Sequence, residues 1–455
     1  MPHERRKALF TLSSSLKKEL NMNSSPHESP DLPLVMLPRR NLIFYMTILY
    51  LMFASDLWAR VGINALLPLM QTDLGLTDVQ VGMLGSTVLL GMITFVLPAS
   101  YMADKWSKRG TVCLMGLTWS LGTMMCGLLP SFGMLLLGRF MVGGGNSSYA
   151  PASVSMLTDW FPKKRWGRII GLYNTSYQIG ISGGLVVTGL LAASFGWKTT
   201  FILIGAPSLL LALLALRIPE RKKQTDRQTP KVSVSEALRV ILGNRTLMST
   251  ALATTFFNIT ATGLITFTPI FFMREMGMEV ASAASILGLM GMTGFVAMPL
   301  GGFLLDAWYR RDTRCRGWFP ALCLLAATGF MVLGYARHSL IFLTCGMFVI
   351  NMVPTCYHVI TQEVVPTRYK ASSYGSLVIF LQIGGAIGSM LVGVLSQQFG
   401  VQSALLFIQA SLVLSAAFFL SASFFYRRDF ARVQALPMAQ ENIASQSLEQ
   451  ARQSA

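Results

Sequence analysis

An all-α membrane protein, with twelve transmembrane helices in two pseudo-symmetric bundles of six, is predicted by three features of this sequence. Of its 455 residues, 53% are hydrophobic and 13% are charged, and the mean hydropathy is +0.53. Twelve apolar stretches are long enough to cross a bilayer, which requires about twenty residues. Short sequences also recur at a nearly constant separation, which indicates two structurally related halves.

The apolar stretches set the organisation of the chain. They lie near residues 41–70, 80–102, 110–129, 132–158, 167–192, 197–217, 246–273, 281–305, 317–336, 339–362, 371–397 and 401–426. A polar segment divides them into six and six. We therefore expect a polar arm (1–40), a first bundle (41–217), a linker (218–245), a second bundle (246–426) and a polar tail (427–455).

The repeat is carried by matches in corresponding spans. Asp104-Lys105-Trp106, at the end of the second span, corresponds to Asp306-Ala307-Trp308 at the end of the eighth (306 − 104 = 202). Phe195-Gly196 corresponds to Phe399-Gly400 (400 − 196 = 204). Matches at one register predict two repeats related by an axis along the membrane normal, an arrangement found in alternating-access transporters.

The net charge of +17 follows from the topology of the chain. Of the 37 basic residues, Arg60 and Arg139 lie within spans. If the amino terminus is cytoplasmic, only Lys198, Arg274 and Arg337 lie outside, which leaves 37 − 2 − 3 = 32 inside. This asymmetry is the positive-inside rule, and it removes the reason to invoke a nucleic-acid partner. It predicts a multi-pass protein of the plasma membrane, here a bacterial inner membrane, with both termini cytoplasmic.

The reactive side chains of this sequence predict neither a metal site nor an enzyme. The six cysteines have no metal-ligand spacing and lie in apolar or cytoplasmic segments, so no disulfide, metal or cofactor is expected. The sequence has no catalytic constellation and no sizeable domain outside the membrane. We expect a monomer in the lipid bilayer.

Asp56 and Arg60 are the most informative residues, because both lie inside the first apolar span. A charge near the bilayer centre costs about 3 kcal/mol on insertion scales, so such residues face a bundle interior or an aqueous cavity. Residues four apart share one face of a helix and can neutralise each other. The pair therefore predicts a functional site in the first span.

The loop after the second span carries a family signature. Ser100-Tyr101-Met102-Ala103-Asp104-Lys105-Trp106-Ser107-Lys108-Arg109 resembles the G-x-x-x-D-[RK]-x-x-[RK]-[RK] motif of the major facilitator superfamily, with Ser100 at the first glycine. With its copy in the second half, residues 40 to 430 resemble a member of that superfamily. The resemblance implies a secondary transporter whose charged loops close the cytoplasmic side.

The residues expected at this cytoplasmic gate are charged and lie at helix ends or in loops: Asp104, Lys108, Arg109, Asp159, Asp306, Arg310, Arg311 and Glu363. The alternative is that they are ordinary solvated charges, worth roughly 0 to 1 kcal/mol as surface pairs.

The resemblance extends to particular branches of the superfamily. An arginine placed like Arg60 binds the anionic group of the substrate in the anion-symporter and organophosphate branches. The organophosphate branch has a second arginine in helix seven, where this chain has Ala261. One arginine favours either a singly charged anion or a role of Arg60 other than phosphate binding. The spinster-like branch has an Asp-Arg pair in helix one and a Glu in helix four; Ala59 and Asn146 occupy the places of these acids, and Asp56 is the nearest substitute.

The implied fold has a central cavity lined mainly by spans one, four, seven and ten, with help from five and eleven. The polar side chains expected at the substrate are Arg60, Asn64, Arg139, Asn146, Tyr149, Tyr177, Gln178, Asn258, Asn351, Tyr357 and Gln382. Any single Asn or Gln among them can instead tie helices together, for about 0.6 kcal/mol.

Two titratable side chains are candidates for proton coupling, Asp56 and His358. The alternatives are a fixed ion-pair partner of Arg60 and an ordinary interior histidine, respectively. Separately, Gly143-Gly144-Gly145 is interpreted as a helix-packing surface and not a phosphate-binding loop, because no strand precedes it and no Gly-Lys-Ser/Thr follows. The pairs Gly180/Gly184 and Gly384/Gly388 are likewise interpreted as packing faces.

The predicted function is proton-coupled symport of a small organic anion, a carboxylate or a sugar acid. Two alternatives stay open. One is export of a lipid-like or drug-like amphiphile, and the other is a membrane sensor that binds a solute without moving it.

Overall fold

The computed structural model describes residues 38–105, 107–129, 131–162, 165–219, 243–366 and 370–453. Every regular element in these ranges is a helix. The predicted arm (1–40) and linker (218–245) fall almost wholly outside the described residues. The predicted tail is helical as far as Gln453 and continues the last span.

The helices form twelve spans, numbered here in chain order. Their bounds are Arg39–Val61 and Ile63–Leu74 (span 1), Asp78–Lys105 (span 2), Lys108–Leu128 (span 3), Phe132–Asn146 and Tyr149–Trp160 (span 4), Trp166–Gln178, Ile179–Gly183 and 184–195 (span 5), 197–214 and Ala215–Arg217 (span 6), Arg245–Arg274 (span 7), Val280–Met292 and Gly294–Tyr309 (span 8), Cys315–Ala336 (span 9), Leu340–Ile350 and Val353–Glu363 (span 10), Lys370–Phe399 (span 11), and Val401–Phe407 with Gln409–Gln453 (span 12).

The number of crossings agrees with the prediction. Ten helical stretches among the described residues are long and apolar enough to cross a membrane. One of them, Trp166–Arg217, has 52 residues and is broken at Gly196, so it makes two crossings. Span 4 consists of two shorter helices and is the twelfth crossing.

The backbone confirms the repeat at the fifth and eleventh spans. Gly196 ends span 5 with φ 74°, and Gly400 ends span 11 with φ 84°. Both lie in the region that glycine adopts without steric cost. The two halves therefore turn at residues that are 204 positions apart (400 − 196).

The glycine pairs pack helices against each other as predicted. A Cβ at Gly180 would lie 2.5 Å from the carbonyl oxygen of Ala54 on span 1. A Cβ at Gly384 would lie 2.1 Å from the carbonyl oxygen of Thr255 on span 7. Gly143 approaches span 2 in the same way. These glycines let backbones approach closely, which is their usual role in membrane bundles.

Several spans are interrupted partway along their length. Span 1 is broken at Gly62, span 4 at 147–148, span 10 at 351–352, and span 5 contains a π-helical turn at Ile179–Gly183. Irregular backbone inside a membrane span is tolerated where protein or a water-filled cavity satisfies it. The breaks therefore surround the region in which a site can be built.

The hydrophobic core differs between the two ends of the bundle. We call the end near residues 217 and 245 the linker face, and the end near 74–78 and 274–280 the opposite face. Toward the opposite face, one buried cluster takes side chains from both halves. Toward the linker face, each half has its own cluster. The halves are thus joined at one end of the molecule.

Candidate functional site

The candidate site lies at the middle of span 1, where the sequence places its two charges. Asp56 is 4% exposed, and Arg60 is half-buried. No ion pair joins them within 4.0 Å, although both are among the described residues. Arg60 is near enough to act on Asp56 through its charge. In this conformation the two side chains share a face without neutralising each other by contact.

Asp56 is buried without full hydrogen bonding. Its Oδ1 atom has no partner within the protein. A buried ionised carboxylate is costly unless it is paired or neutralised by a proton. The position of Asp56 therefore suits a group that exchanges a proton or meets a ligand.

Arg139 has a different place from the one predicted. It is 2% exposed, and its terminal nitrogens donate to the backbone carbonyls of Ala59 (2.9 Å) and Arg60 (2.6 Å). These carbonyls lie in the last turn before the break at Gly62, where a helix leaves its carbonyls without intrahelical partners. This geometry favours a structural role for Arg139 over the predicted substrate contact.

Tyr149 is likewise engaged with span 1. Its hydroxyl donates to the carbonyl of Leu49 at 2.7 Å, and the residue is fully buried. The ring of Trp119 packs edge-on against it at 5.2 Å. Tyr149 fixes the distance between spans 1 and 4 and, like Arg139, borders the site without opening into it.

Asn146 lies on span 4 between these two tie points, seven residues after Arg139 and three before Tyr149. Arg139 and Asn146 are seven residues apart on one helix and therefore lie on the same face of it. Neither the Nδ2 nor the Oδ1 atom of Asn146 has a hydrogen-bond partner in the protein, and both are buried. Asp56 lies on span 1 between Leu49 and Ala59, whose carbonyls accept from Tyr149 and Arg139, respectively. An unsatisfied carboxylate and an unsatisfied amide thus lie in this interval, about one helical turn apart along the spans.

Three predicted substrate residues form helix–helix contacts. Asn258 donates to the carbonyl of Leu381 at 2.5 Å, which ties span 7 to span 11. Gln382 contacts the sulfur of Met92 on span 2 at 2.9 Å. Gln178 donates to Ser182 and to the carbonyl of Gly291 on span 8. These contacts favour the alternative role for the three side chains, hydrogen bonding between helices, over contact with a substrate.

The remaining polar predictions are buried to different degrees. Asn64 is 5% exposed, two residues after the break in span 1. Asn351 is half-buried at the break in span 10. Neither side chain has a hydrogen bond with another described residue.

Aromatic side chains complete the site, and the sequence prediction missed several of them. Phe53 stacks on Tyr173 (centroids 4.8 Å apart) and lies 6.4 Å from Tyr177. Phe53 precedes Asp56 by three residues, so its position on the same helix face was a usable signal.

In the second half, Tyr357 and Tyr374 flank His358, with ring centroids 4.5 and 5.3 Å away. His358 has no ion pair with a described residue. The second half thus contributes rings and one imidazole to a site whose full charges belong to the first half.

The predicted gate residues pair within each half in this conformation. Lys108 binds Asp159 at 2.6 Å in the first half. In the second half, Arg316 binds Glu363 through two bonds (2.7 and 3.0 Å) and Asp306 at 3.0 Å. Sequence reasoning missed Arg316, although it lies in the first turn of span 9 as Lys108 lies in the first turn of span 3.

Among the described side chains, Arg109, Arg310 and Arg311 form no bridge between the halves. Arg109 reaches the carbonyl of Leu216 in its own half at 3.4 Å. Arg310 and Arg311 form no ion pair with another described residue. Asp104 is helical, but its side chain lies outside the described part of the structure.

The conformation is closed at the opposite face. The extensive contacts between halves run from span 2 to span 11 and from span 5 to span 8, and they use the first helix of span 8 and the second helix of span 1. The described polar contacts between halves start near residues 78 and 274 and reach no farther than Met92 and Gln382. From the site toward the linker face, no such contact joins the halves within the described ranges.

The fold defines a multi-pass membrane protein of two helical bundles, the architecture of a transporter. Comparison with known sequences and structures agrees. A model of the Major Facilitator Superfamily matches residues 46–389. The chain belongs to this superfamily.

Three characterised relatives are similar along most of the chain. A hexuronate transporter of Bacillus subtilis is 26% identical and aligns with 78% of this chain and 88% of its own length. An MFS-type efflux pump of Mycolicibacterium smegmatis is 24% identical (82% and 94%). A probable sulfoacetate transporter of Cupriavidus necator is 22% identical (82% and 91%).

A solved structure shares the fold. A bacterial homologue of the human lysosomal transporter Spinster, in an inward-facing and unoccupied conformation, superposes with a TM-score of 0.78. It is 22% identical and covers 86% of this chain and 99% of its own.

Proposed function

We propose that the protein is a secondary active transporter that carries a small organic anion together with protons, by alternating access. The observation that carries the proposal is Arg60: a half-buried guanidinium at mid-membrane with no hydrogen bond or ion pair among the described residues. A guanidinium keeps its charge and presents five donors in a planar fork, which suits a carboxylate. Its burial makes an anionic ligand the natural partner.

Asp56 and Asn146 form the proposed coupling site. When Asp56 carries a proton, its carboxyl group can donate to an amide oxygen, and Asn146 has an unsatisfied one in a neighbouring turn of span 4. When Asp56 is ionised, the charge of Arg60 stabilises it. An anion bound to Arg60 weakens that stabilisation and so favours protonation of Asp56. This linkage makes anion and proton bind together. Among the described residues His358 has no ion-pair partner, and it is the weaker candidate.

Several relatives support an anionic substrate. The names of two of them specify hexuronate and sulfoacetate, both of which carry a carboxylate. The chain has one unpaired arginine at its site, and Ala261 occupies the corresponding place in span 7. We propose a monocarboxylate sugar acid of the hexuronate class as the first substrate to test.

The proposed orientation places the linker face in the cytoplasm of a bacterial cell, with the protein monomeric in the inner membrane. The excess of basic residues at that face supports it. In this orientation the conformation described above is inward-facing. The gate of Asp104, Asp159, Asp306 and Glu363 is then open, and its bridges between the halves belong to the other state.

The test is uptake of radiolabelled glucuronate and sulfoacetate into proteoliposomes, with and without an inward proton gradient. We expect saturable uptake that the gradient drives above equilibrium. Uptake that never exceeds equilibrium would remove proton coupling, and absence of uptake and of binding for these anions would remove the anion assignment.

Export of an amphiphile is the second candidate. The efflux-pump relative and the rings of Phe53, Tyr173, Tyr177 and Tyr374 favour it. A fluorescent lysophospholipid in the same vesicles separates the two proposals, because only the exporter moves it. A sensor would bind glucuronate in a thermal-shift assay without moving it.

A further inference from the structure

Asp78 has an unusually complete set of partners at the opposite face. It is the first residue of span 2, and its side chain is 9% exposed. Its Oδ1 accepts from Gln71 (2.5 Å) and Arg274 (2.9 Å), and its Oδ2 accepts from Arg274 (3.1 Å) and Ser396 (2.6 Å). A carboxylate has about four acceptor sites, so these bonds satisfy it fully.

These partners come from both halves of the molecule. Gln71 lies on span 1 and Asp78 on span 2, whereas Arg274 lies on span 7 and Ser396 on span 11. Asp78 is at the amino end of its helix and Arg274 is in the last turn of its own, so each charge is where the helix dipole favours it. The dipole of each helix therefore stabilises its own charge independently of the ion pair.

No other described ion pair joins the halves. Ser86 donates to the carbonyl of Ala386, and the remaining polar contacts are those of Gln178 and Gln382. All of them involve neutral groups. Arg274 and Asp78 thus supply the only charged tie between the halves among the described residues.

We infer that Gln71, Asp78, Arg274 and Ser396, together the Asp78 lock, hold the opposite face closed and must separate each time the transporter opens there. The inference rests on the alternating access proposed above. Bidentate guanidinium–carboxylate bonds lose their energy steeply when the groups move apart or tilt, so the lock acts over a short distance. It favours the closed opposite face over a partly open one.

The chain offers a matched control on the same face. Asp73 accepts from Trp197 at 3.0 Å and pairs with Lys198 at 3.3 Å. All three belong to the first half. Loss of this pair removes a charge from the same surface without loosening the halves.

The experiment measures exposure between spans 2 and 11. Ser389 is 1% exposed, packs on Gly85 and lies 3.2 Å from Thr266, so a cysteine there is reachable only when the halves separate. Purified full-length chain with Ser389→Cys is treated with a polar maleimide, and the parent chain gives the background of the six native cysteines. We expect Asp78→Asn to raise the labelling rate about tenfold or more, and Asp73→Asn to leave it unchanged.

A charge reversal completes the design. The double variant Asp78→Arg with Arg274→Asp should return labelling toward the parent rate. Equal rates in Asp78→Asn and the parent, or an equal rise in Asp73→Asn, would overturn the lock. If Asp78→Asn does not fold, Arg274→Gln breaks the same bridge from the other half. Labelling needs no substrate, so failure of anion uptake leaves this result readable on its own.

Discussion

The two halves share a scaffold and differ in where they carry charge. Gly196 and Gly400 turn the chain at equivalent places, and Lys108–Asp159 in the first half corresponds to Arg316–Glu363 in the second. At the centre the correspondence fails. Asp56 and Arg60 have Phe257 and Ala261 as their counterparts (offset 201).

The difference separates what the fold requires from what the site requires. Features present in both halves hold each bundle together: turning glycines, packing glycines and an ion pair at the linker face. Features present in one half mark function, since symmetry gives no structural reason for them. The charged centre of the first half and the rings of the second are therefore the features that the proposed site combines.

The largest expected effect comes from removing the charge that breaks the symmetry. Arg60→Ala should lower glucuronate uptake about 1,000-fold, roughly 4 kcal/mol, because the anion loses a desolvated, charged partner. Arg60→Lys should keep part of the activity, since it keeps the charge but not the planar fork. The measurement is initial uptake at equal protein amounts. Normal uptake in Arg60→Ala would assign the site elsewhere.

A smaller effect is expected for the ion pairs at the linker face, which both halves have but bury to different degrees. Arg316 is 5% exposed and holds two acids, whereas the Lys108 side chain is 30% exposed. Arg316→Gln should cost about 3 kcal/mol, because Glu363 stays partly buried without its partner. Lys108→Gln should cost roughly 0 to 1 kcal/mol. Thermal unfolding in detergent should rank them in this order; the reverse ranking would show that burial does not decide the difference.

The packing glycines test the scaffold itself. Gly384→Ala should cost about 2 kcal/mol, because its Cβ would meet the carbonyl of Thr255 at 2.1 Å. Gly180→Ala should cost less, since the corresponding distance is 2.5 Å. Gly375→Ala, on the same helix with no atom within 4 Å, is the control and should be neutral or slightly stabilising. The readout is again the unfolding temperature.

The smallest effect concerns coupling. With one proton per anion, a gradient of one pH unit supplies about 1.4 kcal/mol, or tenfold accumulation. Asp56→Asn should lose this accumulation and retain exchange of labelled for unlabelled substrate. Asn146→Ala should shift the pH dependence of uptake without abolishing exchange. Unchanged accumulation in Asp56→Asn would remove Asp56 from the coupling step.

The sequence predicted the scaffold well because span hydropathy is a local property of the chain, and the repeat spacing can be read directly from the order of residues. It also located Asp56 and Arg60, since charges inside an apolar span are conspicuous. It could not show that Arg139 is occupied by span 1, because this depends on the break at Gly62 and on the approach of another helix. It could not pair Asp78 with Arg274, since 196 residues separate them and neither lies in a motif.

The position of a hydrophobic cluster, within one half or shared by both, determines what a mutation in it affects. A substitution in a cluster that belongs to one half changes how well that half folds in every state. A substitution in the cluster shared by both halves also changes the balance between states, because that cluster must divide when the opposite face opens. Substitutions that change the turnover rate without lowering expression should therefore lie mainly in the shared cluster. Substitutions in a cluster that belongs to one half should change mainly the stability of that half.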